Sequence, residues 1–127
     1  MSTLEETKDA PEQKAGDWAV QIIDMSGEGE DRIVETIKGF YSIEHANAFA
    51  RAYVRDSIEH CRLPRASHEE ILKTWSNYGE DVEVLADPDM AWYSSSEINN
   101  FIENVATPME CDWRALDPRR LMDEEKF

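Results

Sequence analysis

The sequence predicts an α+β fold in which a small antiparallel β-sheet, made of a hairpin plus one short strand, is packed by three to four helices. Two runs of β-branched residues flank a glycine-containing loop near the start of the chain, which is typical of a β-hairpin. Farther along, three Ser/Thr-x-x-Glu sequences precede apolar segments and indicate helix N-termini. With 127 residues, the chain is long enough for one domain with its own core, which we place at residues 17–120.

The predicted hairpin joins residues 18–24 to residues 33–40 through the loop at residues 25–31. Both runs are rich in Ile and Val, and the loop contains Gly27 and Gly29. A helix remains the alternative for residues 33–40, because their apolar side chains also fit a period of 3.6 residues.

The first predicted helix covers residues 43–63. Ser42 is placed to cap its N-terminus, and Pro64 prevents it from continuing. Apolar and small side chains spaced at i, i+3, i+4 and i+7 give this helix one buried stripe. The stripe consists of Ala46, Phe49, Ala50, Tyr53, Ser57, Ile58 and Cys61.

A second helix is predicted to begin at the capping box formed by Ser67 and Glu70, and Gly79 suits a left-handed stop at its end. Residues 81–86 alternate between apolar and polar side chains, which predicts a short strand. The Asp-Pro-Asp sequence at residues 87–89 predicts a turn.

Two further capping boxes are predicted, from Ser94 to Glu97 and from Thr107 to Glu110. The first opens a helix with its inner face at Ile98, Phe101, Ile102 and Val105. The second opens a short last helix from which Trp113 and Leu116 pack.

Residues 1–16 are polar and carry both charges without apolar periodicity, so we expect a disordered tail, and we expect residues 121–127 to be flexible. The sequence contains no secretory signal and no apolar run near the length of a membrane span. Its two cysteines are too few for a disulfide framework, and they lie 50 residues apart without a CxxC spacing, which excludes a zinc-ribbon or thioredoxin-type motif. We therefore expect a cytoplasmic protein with no membrane partner.

No nucleophile, phosphate-binding or metal-ligand motif is present, so the sequence predicts neither catalysis nor a cofactor. Residues 24–35 partly match a calcium-binding loop, with Asp24 and Glu35 at its first and last positions. However, Asp31 stands where an apolar residue is usual, and strands rather than helices flank the loop. We interpret it as an acidic hairpin loop and keep calcium binding as a minor alternative.

Charge is the most informative feature of the sequence. The chain has 28 acidic and 13 basic residues, for a net charge of −15, which argues against direct nucleic-acid binding. Residues 66–112 hold eleven acids and one basic residue, Lys73. We predict a partner-binding surface in this segment, composed of Glu80, Asp81, Asp87 and Asp89, which flank the short strand, with the aromatic pair Trp92 and Tyr93.

The alternative surface lies on the first helix, where Arg51, Arg55 and Arg62 are spaced to share one side, opposite the apolar stripe. Such a side is either a solvated helix face or a recognition face for an anionic partner, since arginine binds carboxylates and phosphates with two hydrogen bonds.

The resulting hypothesis is a small acidic accessory or regulatory protein that acts without catalysis by binding another protein with a basic surface. One alternative is an acidic mimic of nucleic acid that inhibits a DNA- or RNA-handling protein. Others are a non-catalytic small subunit of an enzyme complex, and an enzyme in its own right.

Overall fold

A computed structural model describes residues 15–120 of the chain. The tails expected at residues 1–16 and 121–127 therefore lie outside the described residues, except for Ala15 and Gly16. These two form a turn, and the Gly16 amide donates a 3.0 Å hydrogen bond to the Phe40 carbonyl.

Three strands form one antiparallel sheet: β1 (Trp18–Asp24), β2 (Ile33–Phe40) and β3 (Glu80–Leu85), in the order β2-β1-β3. This confirms the α+β fold class and the hairpin, and the helical alternative for residues 33–40 is wrong. Val20 on the central strand pairs with Ile37 on one side and Val84 on the other. Their β-branched side chains point to the same buried face of the sheet.

Helix α1 (Ile43–His60) begins as predicted, because the Ser42 hydroxyl accepts a hydrogen bond from the His45 amide. It ends at His60 rather than at the predicted residue 63, so Arg62 lies just after the helix. Helix α2 (His68–Tyr78) begins at the predicted capping box between Ser67 and Glu70. The left-handed stop predicted at Gly79 is wrong. Gly79 has an extended backbone (φ −83°, ψ −167°) because the chain passes directly from α2 into β3.

Helix α3 (Ile98–Glu103) is shorter than predicted, and the capping box between Ser94 and Glu97 does not form. Both side chains have other partners: Ser94 donates to Asp81, and Glu97 accepts from Arg51. The helix ends before Val105, whose side chain is 68% exposed rather than buried. Long-range contacts therefore override the local capping signal.

The last predicted helix is two short 3₁₀ turns, Pro108–Cys111 and Trp113–Leu116. The capping box between Thr107 and Glu110 is present and opens the first of them. None of the helices in the described ranges is long and apolar enough to cross a membrane.

The core lies between one face of the sheet and α1, which also contacts α2, α3 and both C-terminal 3₁₀ turns. Its largest fully buried side chains are the rings of Phe40, Phe49 and Phe101. Along β3, Val82 and Val84 point into this core, while Glu83 and Leu85 point outward. The polar residues at both ends of β3 therefore lie at the edge of this core.

Candidate functional site

The four predicted acidic site residues lie in two groups at opposite ends of β3. Glu80 and Asp81 begin the strand, whereas Asp87 and Asp89 belong to the turn that follows it. β3 is an edge strand of the sheet, and a six-residue strand is about 20 Å long, so the two groups are separated along this edge.

Glu80 and Asp81 are half-buried and bonded within the protein. The Tyr53 hydroxyl donates a 2.5 Å hydrogen bond to Glu80 Oε1, and the Glu80 amide donates to Ser57 Oγ at 2.9 Å. Asp81 Oδ2 accepts from the Ser94 hydroxyl at 3.1 Å. Burial raises the pKa of Asp81 above its ordinary value. These two carboxylates therefore contribute to the fold as well as to the charge.

Asp87 and Asp89 are exposed at the turn after β3. The Asp89 amide donates a 2.9 Å hydrogen bond to Asp87 Oδ1, which fixes the turn and leaves both carboxylates in solvent. Glu83 also points outward from β3. We refer to Glu83, Asp87, Asp89 and Tyr93 as the acidic turn surface.

The two aromatic side chains of the predicted surface differ in exposure. Tyr93 is 46% exposed. Trp92 packs against the core, with its ring stacked 6.2 Å from that of Phe101. Its indole Nε1 donates a 2.7 Å hydrogen bond to Glu97. Trp92 thus anchors its own loop, and a binding role fits Tyr93 better.

The expectation that Arg51, Arg55 and Arg62 present an open side of α1 is wrong. Arg51 makes a two-bond contact with Glu97 at 2.7 and 2.8 Å, and this contact holds the pKa of Glu97 below its ordinary value. Arg62 makes a similar contact with Glu59 at 2.8 and 2.9 Å.

Arg55 is only 4% exposed, with its guanidinium 4.8 Å from the centre of the Phe101 ring. It donates to the Asn104 carbonyl at 3.1 Å, and Arg62 donates to the carbonyls of Phe101 and Ile102. The three arginines therefore hold α3 and the chain after it against α1, and this segment covers the side of the helix that the sequence left open.

A cleft of about 560 Å³, which sequence analysis did not predict, lies beside the start of β3. Four separate parts of the chain form its walls: the end of β1, the second half of α1, the junction between α2 and β3, and the second C-terminal 3₁₀ turn. The lining residues are Asp24, Ser26, Tyr53, Asp56, Ser57, His60, Cys61, Leu63, Thr74, Tyr78, Gly79, Glu80 and Trp113.

The carboxylates of the cleft accept hydrogen bonds from neighbouring side chains. Asp24 Oδ1 accepts from the Ser26 hydroxyl at 2.6 Å and from the Ser26 amide at 2.9 Å, which lowers the pKa of Asp24. The Trp113 indole donates to Asp56 Oδ2 at 3.1 Å. His60 Nδ1 lies 3.6 Å from Asp56 Oδ1.

Among residues 15–120, no group of three or more His, Cys, Asp or Glu side chains is arranged to hold a metal ion. In the segment that partly matches a calcium-binding loop, Glu35 pairs with Arg119 at 2.8 Å. Burial raises the pKa of the Cys61 thiol in the cleft, which disfavours the reactive thiolate.

Comparison with family models, curated proteins and solved structures finds no match for this chain. We therefore infer its function from the charges and contacts of the described residues.

Proposed function

We propose that the protein is a small acidic accessory or regulatory protein of the cytoplasm that binds the basic surface of another protein without catalysis. This proposal rests on a difference between basic and acidic side chains in how they are paired within the protein. Arg51 and Arg55 of α1, and Arg62 just after it, pair with Glu97, Glu110 and Glu59 of the same chain, whereas many carboxylates have solvent around them.

The exposed carboxylates surround much of the described domain. They include Glu28, Glu30, Asp31, Glu44, Glu69, Glu83, Asp87 and Asp89. Internal ion pairs are neutral overall, so these exposed groups dominate the field of a chain with a net charge of −15. Such a field accelerates the approach of a positively charged partner and repels nucleic acid.

The acidic turn surface is the part of this exterior best suited to contact. It places Asp87 and Asp89 in the same loop as the half-exposed ring of Tyr93. Tyrosine is enriched in binding hot spots because its ring contributes a large contact area and its hydroxyl a hydrogen bond. We expect the carboxylates to set the association rate and the ring to slow dissociation.

The test begins with affinity capture and cross-linking at low salt, followed by purification of the captured protein. Its association rate is then measured with the native chain, with Asp87→Asn/Asp89→Asn, and with the control Glu28→Gln/Glu69→Gln. Both variants change the net charge by the same amount. The asparagine side chain that replaces Asp87 retains an oxygen to accept the turn hydrogen bond from the amide of residue 89.

We expect Asp87→Asn/Asp89→Asn to slow association several-fold and to reduce its salt dependence, and the control to have a smaller effect. Tyr93→Ala should mainly raise the dissociation rate. The proposal is wrong if the two double variants bind alike, or if the captured protein contacts this chain through an acidic surface.

A further inference from the structure

The cleft beside β3 is large enough for a long side chain, since its volume of about 560 Å³ falls within the range of small-ligand sites. It opens next to Tyr78, whose side chain is 75% exposed at the end of α2. The deeper wall includes Tyr53 and Trp113, whose ring centres are 4.9 Å apart. A ligand that enters the cleft therefore meets aromatic side chains from three parts of the chain.

The carboxylates of this cleft differ in their partners from Glu59, Glu97 and Asp117. Glu59, Glu97 and Asp117 each face an arginine, which compensates their charge. In the cleft, by contrast, the donors are neutral: the Ser26 hydroxyl for Asp24, the Trp113 indole for Asp56, and the Tyr53 hydroxyl for Glu80.

Neutral donors orient a carboxylate but leave its negative charge in place. Each carboxylate has about four positions that accept hydrogen bonds, so these contacts do not use its full capacity. No lysine or arginine is among the lining residues. His60 supplies positive charge beside Asp56 only in its protonated form. The cleft is thus a concave site with aromatic walls and uncompensated negative charge.

A planar guanidinium matches these features better than an ammonium group. Its donors form a rigid fork that reaches carboxylates from different sides, and its flat surface stacks on aromatic rings. The Arg114 guanidinium lies 4.3 Å from the centre of the Trp113 ring and is not among the lining residues, so it covers part of that ring from outside the cleft. Tyr53 and Tyr78 are the other aromatic lining residues on which a bound guanidinium can stack.

We propose that the cleft binds an arginine side chain presented by the basic partner, with Asp24, Asp56 and Glu80 around the guanidinium and Tyr78 at the entrance. The identity of the partner rests on the proposed function, whereas guanidinium binding is a property of this chain alone. The cleft gives the interaction a specific anchor in addition to the long-range attraction of the exposed carboxylates.

The test is a titration of the full chain with N-acetyl-arginine amide, followed by NMR of the Trp113 indole N–H and the Gly79 and Glu80 amides. N-acetyl-lysine amide carries the same charge without the planar fork, and N-acetyl-citrulline amide keeps the shape without the charge. We expect saturable shifts at these positions with the arginine derivative, weaker shifts with lysine and none with citrulline.

A charge-matched pair of variants tests the location. Asp24→Asn/Asp56→Asn removes two charges from the cleft while retaining side-chain oxygens for Ser26 and Trp113, and it should weaken binding about tenfold. Asp87→Asn/Asp89→Asn removes two charges at the other end of β3 and should change the affinity much less. Tyr78→Ala, at an exposed position, should also weaken binding without affecting folding.

The inference is overturned if lysine or citrulline derivatives bind as well as arginine, or if the two double variants lose affinity equally. Its failure is distinguishable from failure of the proposed function. If the arginine derivative does not bind but the captured partner still depends on Asp87 and Asp89, only the cleft assignment is wrong. If the arginine derivative binds but binding of the partner does not depend on Asp87 and Asp89, the proposed acidic turn surface is wrong and the guanidinium site is supported.

Discussion

Replacing Arg62 by methionine should loosen the C-terminal third of the domain, because this one side chain joins α1 to the end of α3. Its guanidinium makes two hydrogen bonds to Glu59, at 2.8 and 2.9 Å. It makes two more to the carbonyls of Phe101 and Ile102, at 3.0 and 2.9 Å. These carbonyls belong to the last turn of α3, where the helix itself supplies no donors.

The expected loss follows from what Arg62→Met leaves behind. Glu59 retains the 3.1 Å hydrogen bond from the Ala106 amide, but its side chain, only 19% exposed, loses its positive partner. Removing one member of a largely buried charged pair typically costs about 1–3 kcal/mol, and here we expect about 2 kcal/mol. Glu59→Gln in the Arg62→Met background removes the unpaired charge and should recover part of this loss.

Urea unfolding monitored by tryptophan fluorescence measures the free energy change, and amide hydrogen exchange locates it. Protection should fall in α3 and the chain after it, and much less in the β1–β2 hairpin. An Arg62→Met variant within about 0.5 kcal/mol of the native chain would refute the reasoning. The arginines would then be available for binding, and the alternative recognition surface on α1 would regain its support.

Three further predictions follow from local geometry and charge. The Arg51 contact holds the pKa of Glu97 below its ordinary value of 4.5, so the stability that this ion pair provides is present above about pH 4.5 and is lost at lower pH. Arg51→Gln should therefore reduce the difference in the free energy of unfolding between pH 7 and pH 3, measured by urea unfolding. Burial raises the pKa of Asp81 above its ordinary value of 3.8, so ionisation of this carboxyl opposes folding once the pH rises above about 3.8. Asp81→Asn should therefore raise the free energy of unfolding relative to the native chain at pH 7 but not at pH 3. A Cβ atom at Gly79 would overlap Trp75 Cδ1, so Gly79→Ala should lower the free energy of unfolding by about 2 kcal/mol, and an unchanged urea midpoint would contradict this contact.

The sequence predicts those elements whose signals are local. Ser42 and Ser67 cap the helices that follow them, as their positions indicate, because the partner amides lie within three residues. The β-branched runs of the hairpin pair as predicted across a short loop. Glu97 shows that local sequence signals fail where a side chain has a long-range partner. Its sequence context indicates a capping box, but its carboxylate binds Arg51, 46 residues away, and no local pattern contains that information.

The candidate site was harder to predict for the same reason. Glu80 and Asp81 are bonded to Tyr53, Ser57 and Ser94, which lie 13 to 27 residues away in the sequence, so no local pattern shows that these acids are half-buried. The cleft combines Asp24, Asp56 and Trp113, which are far apart in the chain and which no sequence pattern connects. Tertiary packing alone brings them together.

The two populations of carboxylates connect the stability of this protein to its proposed function. Glu59, Glu97 and Asp117 each pair with an arginine, so they stabilise the fold and add little to the external field. The carboxylates of the cleft and of the acidic turn surface have neutral donors or solvent around them. They therefore produce much of the negative electrostatic field outside the protein but form few ion pairs within it. Partner attraction therefore depends on carboxylates that lack an arginine partner, and among these Glu80 also stabilises the fold because the Tyr53 hydroxyl donates to it. Contributions from separated groups are usually additive, so altering Asp87 and Asp89 should change partner attraction with little effect on stability.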